Sequence, residues 1–160
     1  MRDMHFAVGS DHAGVRLKAA LASHLEELGH QVTDFGTNDP SVSVDYPDFG
    51  AAVGRAVAEG TVDLGVAVCG TGIGISIAAN KINGVRAAVV HDVTTAQLAR
   101  MHNHANVICF GDRTVGETTA LDALDAFLAA VPQEGRHLNR LAKISALDDA
   151  AGLRFETKEG

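Results

Sequence analysis

Short apolar runs alternate with stretches of helical spacing along nearly the whole chain, and no other feature restricts the fold as much. Residues 5–9 form one such run ending in glycine, and in 15–28 leucines and alanines recur at helical intervals before Gly29 closes the segment. The same reading predicts strands over 31–35, 64–68, 86–90 and 107–110, and helices over 47–58, 73–80, 94–102 and 116–130. Strands that are short and apolar throughout, rather than alternating, suit a parallel sheet covered on both faces. The expected architecture is a doubly wound, Rossmann-like α/β fold with about five parallel strands. Pro132 breaks the last of these helices, and 134–150, rich in Arg and Leu, reads as one more. The sheet is complete without it, so this helix is expected to reach a partner subunit. Residues 1–150 then form a single domain, and the polar stretch 151–160 reads as a flexible tail.

A chain of 160 residues has room for one real core and not for a second full domain. The formal net charge of -7, with no basic stripe along any predicted helix, argues against a nucleic-acid or membrane surface. No apolar stretch approaches the roughly 20 residues that span a bilayer, and the first residues lack a secretory pattern, so a cytoplasmic protein is expected. Cys69 and Cys109 are the only cysteines and form no CxxC pair. Neither a disulfide framework nor a zinc knuckle is indicated.

In open α/β sheets ligands bind beyond the carboxyl ends of the strands. The chemically distinctive residues fall at those ends: Ser10, Asp11 and His12 after the first strand, Cys69 and a glycine-rich loop after the third, His91 and Asp92 after the fourth, Asp112 and Arg113 after the fifth. In the loop Gly70, Thr71, Gly72, Ile73, Gly74, backbone N–H groups at a strand-to-helix turn can face an anion. No Gly-Lys-Ser/Thr follows, and Ile75 stands where a dinucleotide fingerprint needs its third glycine, so nucleotide binding is disfavoured. Cys69 immediately precedes the loop, a setting suited to a thiolate base or nucleophile. Cys109, inside the last strand, reads as core. His102, Asn103 and His104 lie between a helix and a strand. They suit a dipole-favoured helix terminus, a two-ligand metal site at His102 and His104, or acid/base work by one imidazole; no third ligand is evident, which favours the last over metal. Arg136 and Arg140 share one helical face and, with Arg113 and His12, can make a cationic pocket for a phosphate.

Together the stretches VGSDHAG (8–14), DYP (45–47), CGTGIGISIAANK (69–81), NGVRA (83–87) and His102-Asn103 resemble type B ribose-5-phosphate isomerases, in the family that also holds galactose-6-phosphate and allose-6-phosphate isomerases. The resemblance spans about residues 5–145. It implies an aldose–ketose isomerase that interconverts ribose 5-phosphate and ribulose 5-phosphate in the non-oxidative pentose phosphate pathway through an enediolate, with no metal and no cofactor. It also implies roles. Cys69 moves the proton between C2 and C1, and the amides of residues 70–74 stabilise the enediolate oxygen. His102 opens the furanose ring with Asp11, Asn103 holds sugar hydroxyls, and His12, Arg113, Arg136 and Arg140 hold the phosphate. Tyr46 and Thr71 complete the pocket. Family members are homodimers or dimers of dimers with shared sites, so a second copy and a sugar phosphate are the expected partners. A second subtype uses a Glu where this chain has Ile75, which places the chain with the Cys subtype. The competing readings are an isomerase of another sugar phosphate (allose 6-phosphate, galactose 6-phosphate or a tetrose phosphate) and a non-catalytic, flavodoxin-like nucleotide-binding module.

Overall fold

The computed structural model describes residues 3–148. Strand β1 (His5–Ser10) leads through a 3-10 turn (His12–Gly14) into α1 (Val15–Glu27) and then β2 (Gln31–Asp34). Helix α2 (Tyr46–Ala58), β3 (Leu64–Cys69), α3 (Ile73–Ala79), β4 (Ala87–Val89), α4 (Val93–Asn103), β5 (Val107–Gly111), α5 (Glu117–Ala129) and α6 (Arg136–Asp148) follow. All five strands are parallel, in the order β2-β1-β3-β5-β4. The fold is therefore the doubly wound one expected from the alternation, with element ends displaced by one or two residues. The helix expected over 134–150 starts at Arg136; its last two positions and the tail 151–160 lie outside the described residues.

Right-handed crossovers explain which helices share a face. The step from β1 to β2 runs one way along the sheet, the steps to β3 and β4 run the other way, and the return from β4 to β5 reverses again. Accordingly α1, α4 and α5 cover one face and α2 and α3 the other. The sequence of each inner strand serves both faces by alternation. Phe6, Val8, Val66, Val68, Ile108 and Phe110 meet Leu17, Leu21 and Leu25 of α1 and Phe127 of α5. Ala7, Ala67, Cys69, Val107 and Cys109 face α2 and α3. This second face is the smaller-residue one, so α2 sits close: a Cβ on Gly65 would come within 2.6 Å of Val53 Cγ1. Complete burial of a side chain such as Leu21 or Phe127 contributes roughly 1.5–3 kcal/mol.

Both edge strands are less buried than the central ones, with β2 mostly exposed and β4 half-buried. The open edge of β4 is occupied by a side chain. The Asn80 amide donates to Ala87 O and accepts from Ala87 N, both at 2.8 Å, standing in for one residue of a neighbouring strand. Helix α6 buries only His137 and Leu141 and leans on α4, where the His102 and His137 rings stack with centroids 4.5 Å apart. Among the described residues no helix is long and apolar enough to cross a membrane.

Candidate active site

The chain leaves β1 toward α1 on one face and β3 toward α3 on the other, so the carboxyl ends of these adjacent strands open into a crevice. A cleft of about 540 Å³ lies there. Its floor is Cys69, the last residue of β3 and only 4% exposed. The Gly72 N–H donates to Cys69 Sγ at 3.1 Å, placing a donor where thiolate charge would sit. That fold-back depends on glycine. Gly72 has φ +75°, and a Cβ there would come within 2.8 Å of the Phe110 carbonyl carbon and of Val89 Cγ2. Cys109, on the same sheet face, is fully buried. Burial, and after it the neighbouring Cys69, pushes its thiol well up, which makes it an inert core residue as expected.

The loop after β5 docks on the glycine-rich loop through Asp112 N to Cys69 O (3.0 Å) and Arg113 N to Gly70 O (2.9 Å). These bonds lay the Arg113 guanidinium over Gly70, where a Cβ would be 3.3 Å from Nη1. Across the cleft, Asp11 is buried and caps the 3-10 turn: its Oδ1 accepts from Ala13 N (3.0 Å) and Gly14 N (3.2 Å). Oδ2 has no partner among the described residues. His12 Nδ1 accepts from Val44 N at 3.1 Å. Thr71 Oγ1 accepts from Ile73 N at 3.3 Å, shaping the turn before α3. Tyr46 opens α2 and lays its ring against Gly74, where a Cβ would fall 2.5 Å from Cζ. Ile75 points the other way, fully buried beneath the loop.

One chain thus gathers Asp11, His12, Tyr46, Cys69, Gly70, Thr71, Ile73, Gly74 and Arg113 around a single cleft, with Gly72 beneath it. It does not gather His102, Asn103, Arg136 and Arg140. Helix α4 runs against the strand direction, so its last residues reach the amino ends of the sheet. There Asn103 O accepts from Arg86 Nε at 3.1 Å, just before β4 begins. His104 closes α4 in the left-handed conformation, with φ 46° and its Nε2 2.7 Å from Gln133 O, which fits the helix-terminus reading. Asp92, singled out after the fourth strand, caps α4 by accepting from Thr95 N at 2.7 Å and does not line the cleft. Ala13 and Ile77 line the cleft without having been singled out. Ile77 lies one turn beyond Ile73, and both are more than half exposed, an unusual placement for isoleucine that only solvent exposure reveals.

A buried thiol under a backbone N–H, faced by a carboxylate, an imidazole and a guanidinium, at the switch point of a parallel sheet, defines an α/β enzyme with a polar, partly cationic cleft. A family profile described as ribose/galactose isomerase matches residues 6–144, and the chain belongs to that family. It is 47% identical over 142 residues to ribose-5-phosphate isomerase B of Escherichia coli, an alignment covering 89% of this chain and 95% of the relative. Among solved structures, ribose-5-phosphate isomerase B of Clostridium thermocellum superposes with a TM-score of 0.91 at 47% identity, covering 93% of this chain and all of that one. The Mycoplasma genitalium enzyme with bound ribulose 5-phosphate superposes with a TM-score of 0.87 at 40% identity, covering 90% of this chain and 95% of that one.

Proposed function

We propose that this protein interconverts ribose 5-phosphate and ribulose 5-phosphate, and that Cys69 is its base. Family membership, and relatives of that name at high identity over nearly the whole chain, support the reaction. The observation that carries the assignment of the base is Cys69 Sγ on the cleft floor with the Gly72 N–H on it at 3.1 Å. With the open-chain aldose bound, the Cys69 thiolate takes the proton from C2. The electron pair of the broken C–H bond forms the C1=C2 double bond, and the carbonyl oxygen becomes the enediolate oxygen. Returning the proton to C1 while the C2 hydroxyl proton passes to the C1 oxygen, and the C1=C2 pair forms the new C–H bond, leaves the ketose with its carbonyl at C2. With the Gly72 N–H on the sulfur and the Ile73 N–H on Thr71 Oγ1, the donors assigned to that oxyanion are the other amides of residues 70–74, and each well-aimed donor contributes about 3–4 kcal/mol in comparable sites. Ile75, buried and apolar, offers no carboxylate at the position the Glu subtype uses, which supports Cys69 in the role.

His12 and Arg113 supply one side of a phosphate site. The remaining residues point to a second copy of the chain. His102, Asn103, Arg136 and Arg140 all lie on α4 and α6, away from the Cys69 cleft of their own chain. Meanwhile the cleft rim presents Ile73 and Ile77, 52% and 56% exposed, to whatever covers it. In a two-fold dimer each copy lends its α4–α6 corner to the other's cleft. His102 then protonates the ring oxygen while Asp11 takes the anomeric hydroxyl proton, Asn103 holds sugar hydroxyls, and Arg136 and Arg140 complete the phosphate site. Tyr46 and Thr71 border the sugar.

The test is a panel of five-carbon, six-carbon and four-carbon aldose phosphates compared by kcat/KM, run on wild type and Cys69→Ala. Ribose 5-phosphate is expected to rank first. The variant should lose kcat by about a thousandfold, within the range for removing a positioned base, while still binding a phosphate-bearing inhibitor. Near-normal kcat in Cys69→Ala would sink the role of the thiol, and a six-carbon substrate ranking first would overturn the choice of sugar.

A further inference from the structure

The chemistry above leaves one buried charge unused. Lys18 sits on α1 beside Leu17, is 1% exposed, and ranks among the largest fully buried side chains of the protein. An ammonium tolerates such a site only when its donors are satisfied. Its Nζ lies 2.6 and 2.8 Å from the two carboxylate oxygens of Asp34, 2.7 Å from Thr37 O and 2.8 Å from Asn38 Oδ1. Three N–H donors facing four oxygens leave none unused.

All of these acceptors belong to one piece of chain, the end of β2 and the start of the segment 35–45 that leads to α2. Three backbone bonds join the same region to β1, Phe35 N to Val8 O at 2.8 Å, and Ser10 N to Gly36 O and Thr37 N to Ser10 O, each 2.7 Å. Beyond Asn38 the side-chain bonds are local, such as Asp39 Oδ1 accepting from Ser41 N and Oγ, and Val42 is 52% exposed. The segment then returns to the cleft, where Val44 N donates to His12 Nδ1 at 3.1 Å, and Tyr46 follows. Because Nδ1 accepts that bond, the proton of the neutral imidazole resides on Nε2. Nε2 is thereby the nitrogen left to serve the cleft, as a donor.

We infer that Lys18 is a positioning residue for the active site: by gathering residues 34–38 it holds Val44 against His12, fixes the Nε2–H tautomer, and so presents a hydrogen-bond donor to the substrate phosphate. The inference rests on the proposed phosphate-binding role of His12. It accounts for a buried cation on α1, whose other ion pairs, from Arg16 and His24, are made at exposed positions, and for a mostly exposed segment that ends on a defined bond.

The experiment is nitrogen NMR of histidine-labelled protein without substrate, alongside steady-state kinetics, on wild type and Lys18→Met, which keeps the apolar stem. Wild type is expected to show His12 as a single Nε2–H tautomer, and Lys18→Met to show averaging between the two tautomers. KM for ribose 5-phosphate should rise about tenfold, the loss of roughly one charge-assisted hydrogen bond, with kcat changed much less. A role in stability alone would lower Tm but leave the tautomer and KM where they were, and that result overturns the inference. So does a wild-type His12 protonated on Nδ1. Should Lys18→Met not fold, Asp34→Asn with Asn38→Ala removes acceptors at exposed positions instead. The same tautomer averaging is expected there, and its absence is equally fatal. Failure of the isomerase reading itself is seen separately, as wild-type protein without aldose-phosphate turnover, since the tautomer is read without substrate.

Discussion

At the floor of the cleft the thiol and the glycine three residues later form one unit. Cys69 is an ordinary strand-end residue until Gly72 turns back and puts its N–H on the sulfur, and the turn requires φ +75° with backbone and side chain close on either side. Gly72→Ala is therefore expected to cost about 1–3 kcal/mol of stability through left-handed strain and crowding against Phe110 and Val89. Beyond that, kcat should fall in whatever protein remains folded, because the amide leaves the sulfur. Thermal unfolding and steady-state kinetics on the same preparation check both halves; a stable, fully active Gly72→Ala protein would show that the fold-back is dispensable. The motif CGTGIG was legible as a tight glycine-rich turn from strand to helix. Which of its amides meets the thiol was not, since that depends on the turn closing against β5.

Helix α6 is the element least committed to the core, and the contact that seats it is ionisable. His137 stacks on His102 with rings 7° from parallel. Burial first, then His102, then Arg136, Arg140 and His104, hold the His137 imidazole below its ordinary value. A histidine whose folded value is depressed supports the folded arrangement above its unfolded value of about 6.5 and loses that support as pH falls through the lowered value. The docking of α6 on α4 is thus expected to loosen as pH falls from about 6.5 through that lowered value, with the sheet unaffected. Hydrogen exchange of α6 amides at pH 8 and pH 5 measures this, and equal protection at both would refute it. The periodicity of 136–148 marked a helix but not its berth, because α6 buries two side chains where α1 buries four. By contrast β3, apolar and buried in all six positions, was marked by its sequence as a strand of a parallel sheet covered on both faces, without its place in the order.

On the scale of the whole molecule, the proposed shared site makes a quantitative claim about mixed assemblies. Cys69→Ala and His102→Asn damage opposite corners of one chain, so in a dimer with sites built from two copies each mixed pair restores one intact site. Neither variant alone should turn over ribose 5-phosphate. Unfolded and refolded together in equal amounts, they are expected to recover about a quarter of wild-type activity, from half the dimers bearing one good site in two. No recovery, with mixed dimers verified by mass, would place both residues in a site made by one chain. The division between chain and fold follows the range of the forces involved. The alternation of strands and helices, the parallel sheet, and a glycine-rich turn with a thiol beside it were all readable, because hydrophobic period and turn chemistry act over a few residues. Strand order was not: β5 lies between β3 and β4, a consequence of how crossovers pack on two faces, which no local window contains. Nor was the use of Lys18, whose four oxygens come from residues 16 to 20 positions away. His102 and Arg136 carried the right chemistry in the sequence, yet their distance from Cys69 within one chain follows from α4 running against the strands, a relation that exists only once the sheet has formed.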